Sequence, residues 1–218
     1  MKKIKLLAAL LAMALLGLSL VACSQTTGTC DMAQVKAEIN SMSVEDFTET
    51  TEVSEYVKLT VKGYGDVIIR LRPDIAPITV ENFQKLVSEG FYDGLIFHRI
   101  ISYFMIQGGD PDGDGRGGSD QTIKGEYAKN GVTNQLSHVT GVVSMARLGD
   151  PYYDSASSQF FICTSSNYTS SLDGSYAGFG YVVAGLDVVL AVAKVETGAN
   201  DKPVEPVVME KICFVMPK

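Results

Sequence analysis

Residues 97–115 read FHRIISYFMIQGGDPDGDG, and two incompatible folds compete for them. The second half, Asp110-x-Asp112-x-Asp114-Gly115, has the acid spacing of a calcium loop, which needs a helix on each side. The first half is a run of large apolar residues broken by His98, Arg99, Ser102 and Gln107, as in a pair of half-buried strands. The calcium register fails further along. Its twelfth position, which must bring a bidentate acid, is Gln121, and its eighth and ninth are Gly117 and Gly118. A strand-like run also stands where the leading helix is required. Residues 110–118 therefore read as a glycine-rich surface turn with no metal, and 96–101 and 103–107 as antiparallel strands joined at Ser102.

Outward from this pair, short β-branched and aromatic runs separated by glycine mark six more strands, near 56–62, 65–71, 141–146, 159–163, 179–184 and 207–215. Gly63-Tyr64-Gly65 joins the first two of these as a tight hairpin. Residues 79–89 place Val80, Phe83, Leu86 and Val87 on one helical face, with Thr79 as N-cap and Gly90 as a left-handed C-cap. A second such helix, 186–194, follows Gly185. Eight strands can close a barrel filled by side chains, and closure removes exposed edges. The expected fold is mainly all-β: a closed eight-stranded antiparallel barrel over residues 55–218, capped by two α-helices.

The N-terminus is of another kind. Three lysines in residues 1–5 precede an apolar run from Leu6 to Val21, which reads as a secretory signal peptide over residues 1–22 and is short for a membrane span. Leu20-Val21-Ala22-Cys23 resembles the bacterial lipobox, so cleavage is expected to leave Cys23 as a lipidated first residue. Residues 23–54, rich in Ser, Thr and Glu, read as a flexible tether. The chain carries a net charge of −7, and losing residues 1–22 removes three lysines and no acid. So acidic a chain, with no basic cluster, is not expected to bind nucleic acid. Cys30, Cys163 and Cys213 show no C-x-x-C spacing. Cys163 and Cys213 sit in apolar strand-like runs and read as free thiols, with a bridge between them as the alternative.

Arg99 stands out among its apolar neighbours. An arginine in a half-buried strand needs a partner, and a salt bridge accounts for it as well as a function does. The weight shifts with the rest of the chain. FHRIISYFMIQGGD, GVVSMAR (141–147), SSQFFICT (157–164) and LDGSYAGFG (172–180) resemble, in order and spacing, the cyclophilin family of peptidyl-prolyl cis-trans isomerases. The resemblance covers about 55–216 and implies that family's closed barrel.

It implies a site as well. Arg99 matches the family's catalytic arginine, with Phe104 and Gln107 beside it in the catalytic set and Gln107 orienting Arg99. Phe104, Met105, Phe161 and Leu172 would form an apolar slot for proline. Ala146 and Arg147 would offer main-chain groups to the residues before proline, and Gln159 would line the adjoining surface. His98 is expected as a hydrogen-bonded support at the edge of the substrate site, and His138 as structural. Two positions depart from the pattern: Ser171 stands where many members have tryptophan, and Tyr176 where they have histidine. Tyr176 keeps an aromatic wall, whereas Ser171 puts tight cyclosporin binding in doubt. The implied activity is isomerisation of X-Pro bonds in proteins folding outside the cytoplasm, without cofactor, by a monomer lipid-anchored to a bacterial membrane. A membrane-tethered chaperone or scaffold that holds Pro-containing segments with little turnover is the alternative.

Overall fold

The computed structural model describes residues 30–218. Nine strands form one sheet: β1 (Phe47–Glu49), β2 (Tyr56–Val61), β3 (Gly65–Leu71), β4 (Arg99–Ile101), β5 (Met105–Gly108), β6 (Val142–Met145), β7 (Phe160–Cys163), β8 (Gly178–Ala184) and β9 (Met209–Pro217). Their order is β1-β9-β2-β3-β8-β6-β7-β5-β4, all pairs antiparallel. Four helices accompany them: α1 (Met32–Glu38), α2 (Pro77–Ser88), α3 (Ser166–Thr169) and α4 (Leu186–Val192).

The expected closed eight-stranded barrel is corrected in two respects. Among the described residues there are nine strands, and the ladder is not closed by hydrogen bonds, leaving β1 and β4 as its edges. Just before β4 the chain meets the chain entering β9 through an isolated bridge, Ile96 with Val208, flanked by backbone hydrogen bonds from Phe97 N–H to Val207 C=O (2.9 Å) and from Met209 N–H to Leu95 C=O (2.8 Å), without forming a strand ladder there. Counting apolar runs says how many strands exist. It does not say which edges meet.

Alternation along the strands builds two cores. Val57, Leu59, Ile69, Ile106, Phe160, Ile162 and Phe179 face inward and pack with α2, whose Phe83 meets Phe160 edge-on at 5.5 Å. Their neighbours Ile68, Met105, Phe161, Tyr181 and Val183 form a second apolar cluster on the outer face. Outer apolar surface needs a cover, and over β3 and β8 the N-terminal segment supplies it. Val35 of α1 is 1% exposed, and Phe47 joins the same cluster. Asn40 and Met42 donate backbone hydrogen bonds to Val182 and Val183, and β1 pairs with the end of β9. From Cys30 onward the expected tether is thus part of the folded body. Its polar composition concealed the few apolar residues that dock it.

Helix α2 differs at its start. Ala76, not Thr79, is the N-cap and offers no side-chain acceptor. Glu126 does that work, its carboxylate accepting from Ile78 N–H at 3.1 Å, Thr79 N–H at 2.8 Å and Thr79 Oγ1 at 2.7 Å. Gly90, at φ 65°, ends the helix in the left-handed conformation its sequence position suggested. Cys163 and Cys213 are free, on β7 and β9, which are not neighbours.

Candidate active site

The outer face of β4, β5 and β7 is the part of the second cluster that the N-terminal segment leaves bare. Register sets a row across it: Arg99 lies opposite Gln107, and Gln107 opposite Phe161. The turn between β4 and β5 closes through Phe104 N–H to Ile101 C=O, with Tyr103 at φ 61°, and it carries Phe104 just before β5. Together Arg99, Phe104, Met105, Gln107 and Phe161 line a slot of about 190 Å³. Ala146, Arg147, Leu172 and Tyr176 close its other wall.

Each wall residue has its support. Phe161 stacks on the His138 ring at 6.1 Å between centroids and meets Tyr176 edge-on at 5.8 Å. His138, 2% exposed, is fixed by Asp173 Oδ1 at Nδ1 (2.7 Å) and Ser144 Oγ at Nε2 (2.9 Å). Asp, His and Ser in that order have the connectivity of a nucleophilic triad, but Ser144 is 0% exposed beneath the sheet face, so the group braces Phe161 and attacks nothing. Arg147 braces Tyr176: its guanidinium lies 5.0 Å from that ring's centroid, and it donates to Ser175 C=O at 2.9 Å and Asp150 Oδ1 at 2.8 Å. The resemblance assigned Arg147 only main-chain groups. Its buried side chain holds a wall of the slot.

Gln159 lines an adjoining hollow of about 280 Å³ that also borders Gln107, Ala146 and Arg147. Gln107 Nε2 donates to Gln159 Oε1 at 2.9 Å, and Gln159 Nε2 in turn to Gly117 C=O at 2.8 Å. Gln107 thus gives its amide nitrogen to Gln159, and among the described residues it makes no hydrogen bond to Arg99. Among the described residues Arg99 has another partner, Asp201, whose Oδ2 accepts from Nε at 3.2 Å. The arginine is thus ion-paired and lines a slot at the same time. Asp201 lies 102 positions away in sequence, and no local pattern singles it out.

His98 is not in the slot. It is buried, 5% exposed, and among the described residues neither ring nitrogen has a protein partner, so the expected hydrogen-bonded support is corrected to a ring enclosed by packing. Burial depresses its pKa. The neighbouring turn is organised by Asp110, whose carboxylate accepts from the N–H groups of Asp112 (3.0 Å), Asp114 (3.0 Å) and Gly115 (2.5 Å). Cys23 lies outside the described residues.

A slot walled by Phe104, Met105, Phe161 and Leu172, with Arg99, Gln107 and Arg147 also in its lining, thus lies on the outer face of the sheet. Comparison with known proteins supplies the family. The model of the family described as cyclophilin type peptidyl-prolyl cis-trans isomerase/CLD matches residues 56–213, and the chain belongs to that family of isomerases. It is 43% identical to the peptidyl-prolyl cis-trans isomerase ppi1 of Schizosaccharomyces pombe over 65% of this chain and 88% of that one. With cypE of Dictyostelium discoideum it shares 40% over 72% and 94%. Among solved structures, a Cryptosporidium parvum cyclophilin type isomerase, determined in the presence of the dipeptide Ala-Pro, superposes with a TM-score of 0.66 at 29% identity, covering 73% of this chain and 98% of that one.

Proposed function

We propose that this chain accelerates rotation about X-Pro bonds with the proline ring in the slot of Phe104, Met105, Phe161 and Leu172, and Arg99 as the donor that stabilises the twisted peptide. Resonance gives the peptide C–N bond a barrier of about 18–20 kcal/mol, and uncatalysed X-Pro exchange takes about tens to hundreds of seconds. Twisting confines the lone pair to the proline nitrogen, which becomes a hydrogen-bond acceptor only near the transition state. A guanidinium donates several hydrogen bonds and keeps its proton. Placed beside the slot, it binds the twisted form better than either planar one, which is what catalysis requires.

The observation that carries this reading is that Arg99 lines the same slot as Phe104, Met105, Phe161 and Leu172. Replacing it tests the reading. Arg99→Ala is expected to lower kcat/KM on a Pro-containing peptide by about a hundredfold, the scale of one preorganised donor, while peptide binding falls much less because the slot remains. A pure Pro-peptide binder has no use for the donor. Full isomerase activity in Arg99→Ala would remove Arg99 as the donor, whereas peptide binding without isomerase activity in the unaltered chain would favour the binder.

The same proposal extends to location. Leu20-Val21-Ala22-Cys23 supports an extracytoplasmic protein held by lipid on Cys23 at a bacterial membrane, serving proteins that fold outside the cytoplasm.

A further inference from the structure

A positioning role for any residue beside Arg99 rests on Arg99 being the donor to the twisting peptide. The Arg99 side chain is 41% exposed and is carried by a three-residue edge strand, so the sheet alone does not aim it. Gln107, directly across the ladder, gives its amide to Gln159. The geometry points to Asp201 as a positioning residue for the isomerisation: by holding Nε, at 3.2 Å, it fixes the plane of the guanidinium and leaves both terminal amino groups available to the twisting peptide.

The loop that presents Asp201 is set for this. Asn200 and Asp201 are consecutive non-glycine residues in the left-handed region, at φ 60° and 59°, a conformation that disfavours side chains and is kept only where surrounding structure imposes it. Several bonds impose it here. Gly198 N–H donates to Lys202 C=O at 2.8 Å, Thr197 bridges to Pro203, and Lys202 Nζ reaches Gly113 C=O at 3.3 Å. The carboxylate is thus fixed before substrate arrives.

An arginine whose long side chain samples many rotamers must be ordered at the moment of reaction, and a donor contributes most when that order already exists. Half exposed to water, the pair adds little to stability. Its consequence falls on the direction of the guanidinium. Asp201 touches no reacting atom and acts through Arg99.

The test uses the full chain and one Ala-Pro-containing peptide, with kcat/KM for isomerisation and peptide Kd measured separately. Asp201→Gly suits the left-handed backbone and removes the carboxylate. It is expected to lower kcat/KM about tenfold, as mispositioning a catalytic group does, with Kd unchanged. Asp201→Asn, which also tolerates the left-handed region and keeps an acceptor oxygen, should recover most of that loss. In an Arg99→Ala background, Asp201→Gly should make no further difference, since the two act as one unit. Wild-type or higher activity in Asp201→Gly, while Arg99→Ala remains impaired, overturns the positioning role and leaves the donor reading intact. A tenfold loss that persists in the Arg99→Ala background overturns it too, because the loop would then act on the fold. Full activity in Arg99→Ala removes the donor reading, and the positioning role with it.

Discussion

The chain's two histidines meet burial in different ways. His138 keeps a partner on each ring nitrogen, whereas His98 has none. Burial still lowers the pKa of both below the ordinary 6.5, despite Asp173 acting the other way on His138. The unfolded chain therefore takes up protons that the folded chain refuses. The stability these residues contribute is complete above about pH 6.5 and is lost progressively as pH falls through that value toward the folded pKa. The urea midpoint is expected to drop between pH 7 and pH 5, ahead of the loss from the acids with lowered pKa. His98→Leu should flatten part of that slope without lowering stability at pH 7, since no protein hydrogen bond is removed. An unchanged slope in that variant would assign the effect elsewhere. His138→Leu, by contrast, leaves Ser144 without its ring partner, Asp173 with only the backbone N–H of residue 138, and Phe161 without its stacking ring, so the slot itself should loosen.

At the scale of elements, α2 shows why an amphipathic pattern is a better guide to a helix than to its end. Val80, Phe83, Leu86 and Val87 are all buried in the inner core, as their spacing requires. Its cap comes from Glu126, 3% exposed and remote in sequence. The carboxylate meets the partial positive charge of the helix start and satisfies buried N–H groups at once. Glu126→Ala leaves those donors unpaired and is expected to cost about 3 kcal/mol in urea unfolding, the scale of losing hydrogen bonds to a buried charged acceptor. A loss under about 1 kcal/mol, the size of an ordinary exposed cap, would show that water replaces it.

At the scale of the whole molecule, the docked N-terminal segment changes what a lipid anchor means. Cys30 N–H already bonds Gln135 Oε1 at 2.9 Å, so the chain between Cys23 and the folded body is short. Seven residue steps span at most about 25 Å even when fully extended. Anchored at Cys23, the isomerase domain would sit against the membrane surface instead of ranging from it on a long tether. Mass analysis of the protein from its own membranes is expected to find acyl groups on an N-terminal Cys23, and Cys23→Ala should move activity to the soluble fraction. An unmodified N-terminus at another residue would remove the anchor from the account.

The slot's residues were named in the sequence through their resemblance to the cyclophilin motifs, and local pattern alone would have left them as core. Arg99, Phe104, Met105 and Gln107 come from one hairpin, and a period of two determines which of them share a face once the strands are recognised. Phe161, Leu172 and Tyr176 were reached only through the family resemblance, whereas the inner core follows from alternation and helical spacing. Contacts between distant segments carry no such signature. Asp201 beside Arg99, Glu126 at the start of α2, the Asp173–His138–Ser144 brace, the added strand β1 and the open ladder all depend on which surfaces meet after the sheet has curved. Short-range hydrophobic periodicity, the property sequence displays, is fixed by backbone geometry. The pairing of remote polar groups is fixed only when packing removes water from around them, and tertiary structure alone decides that.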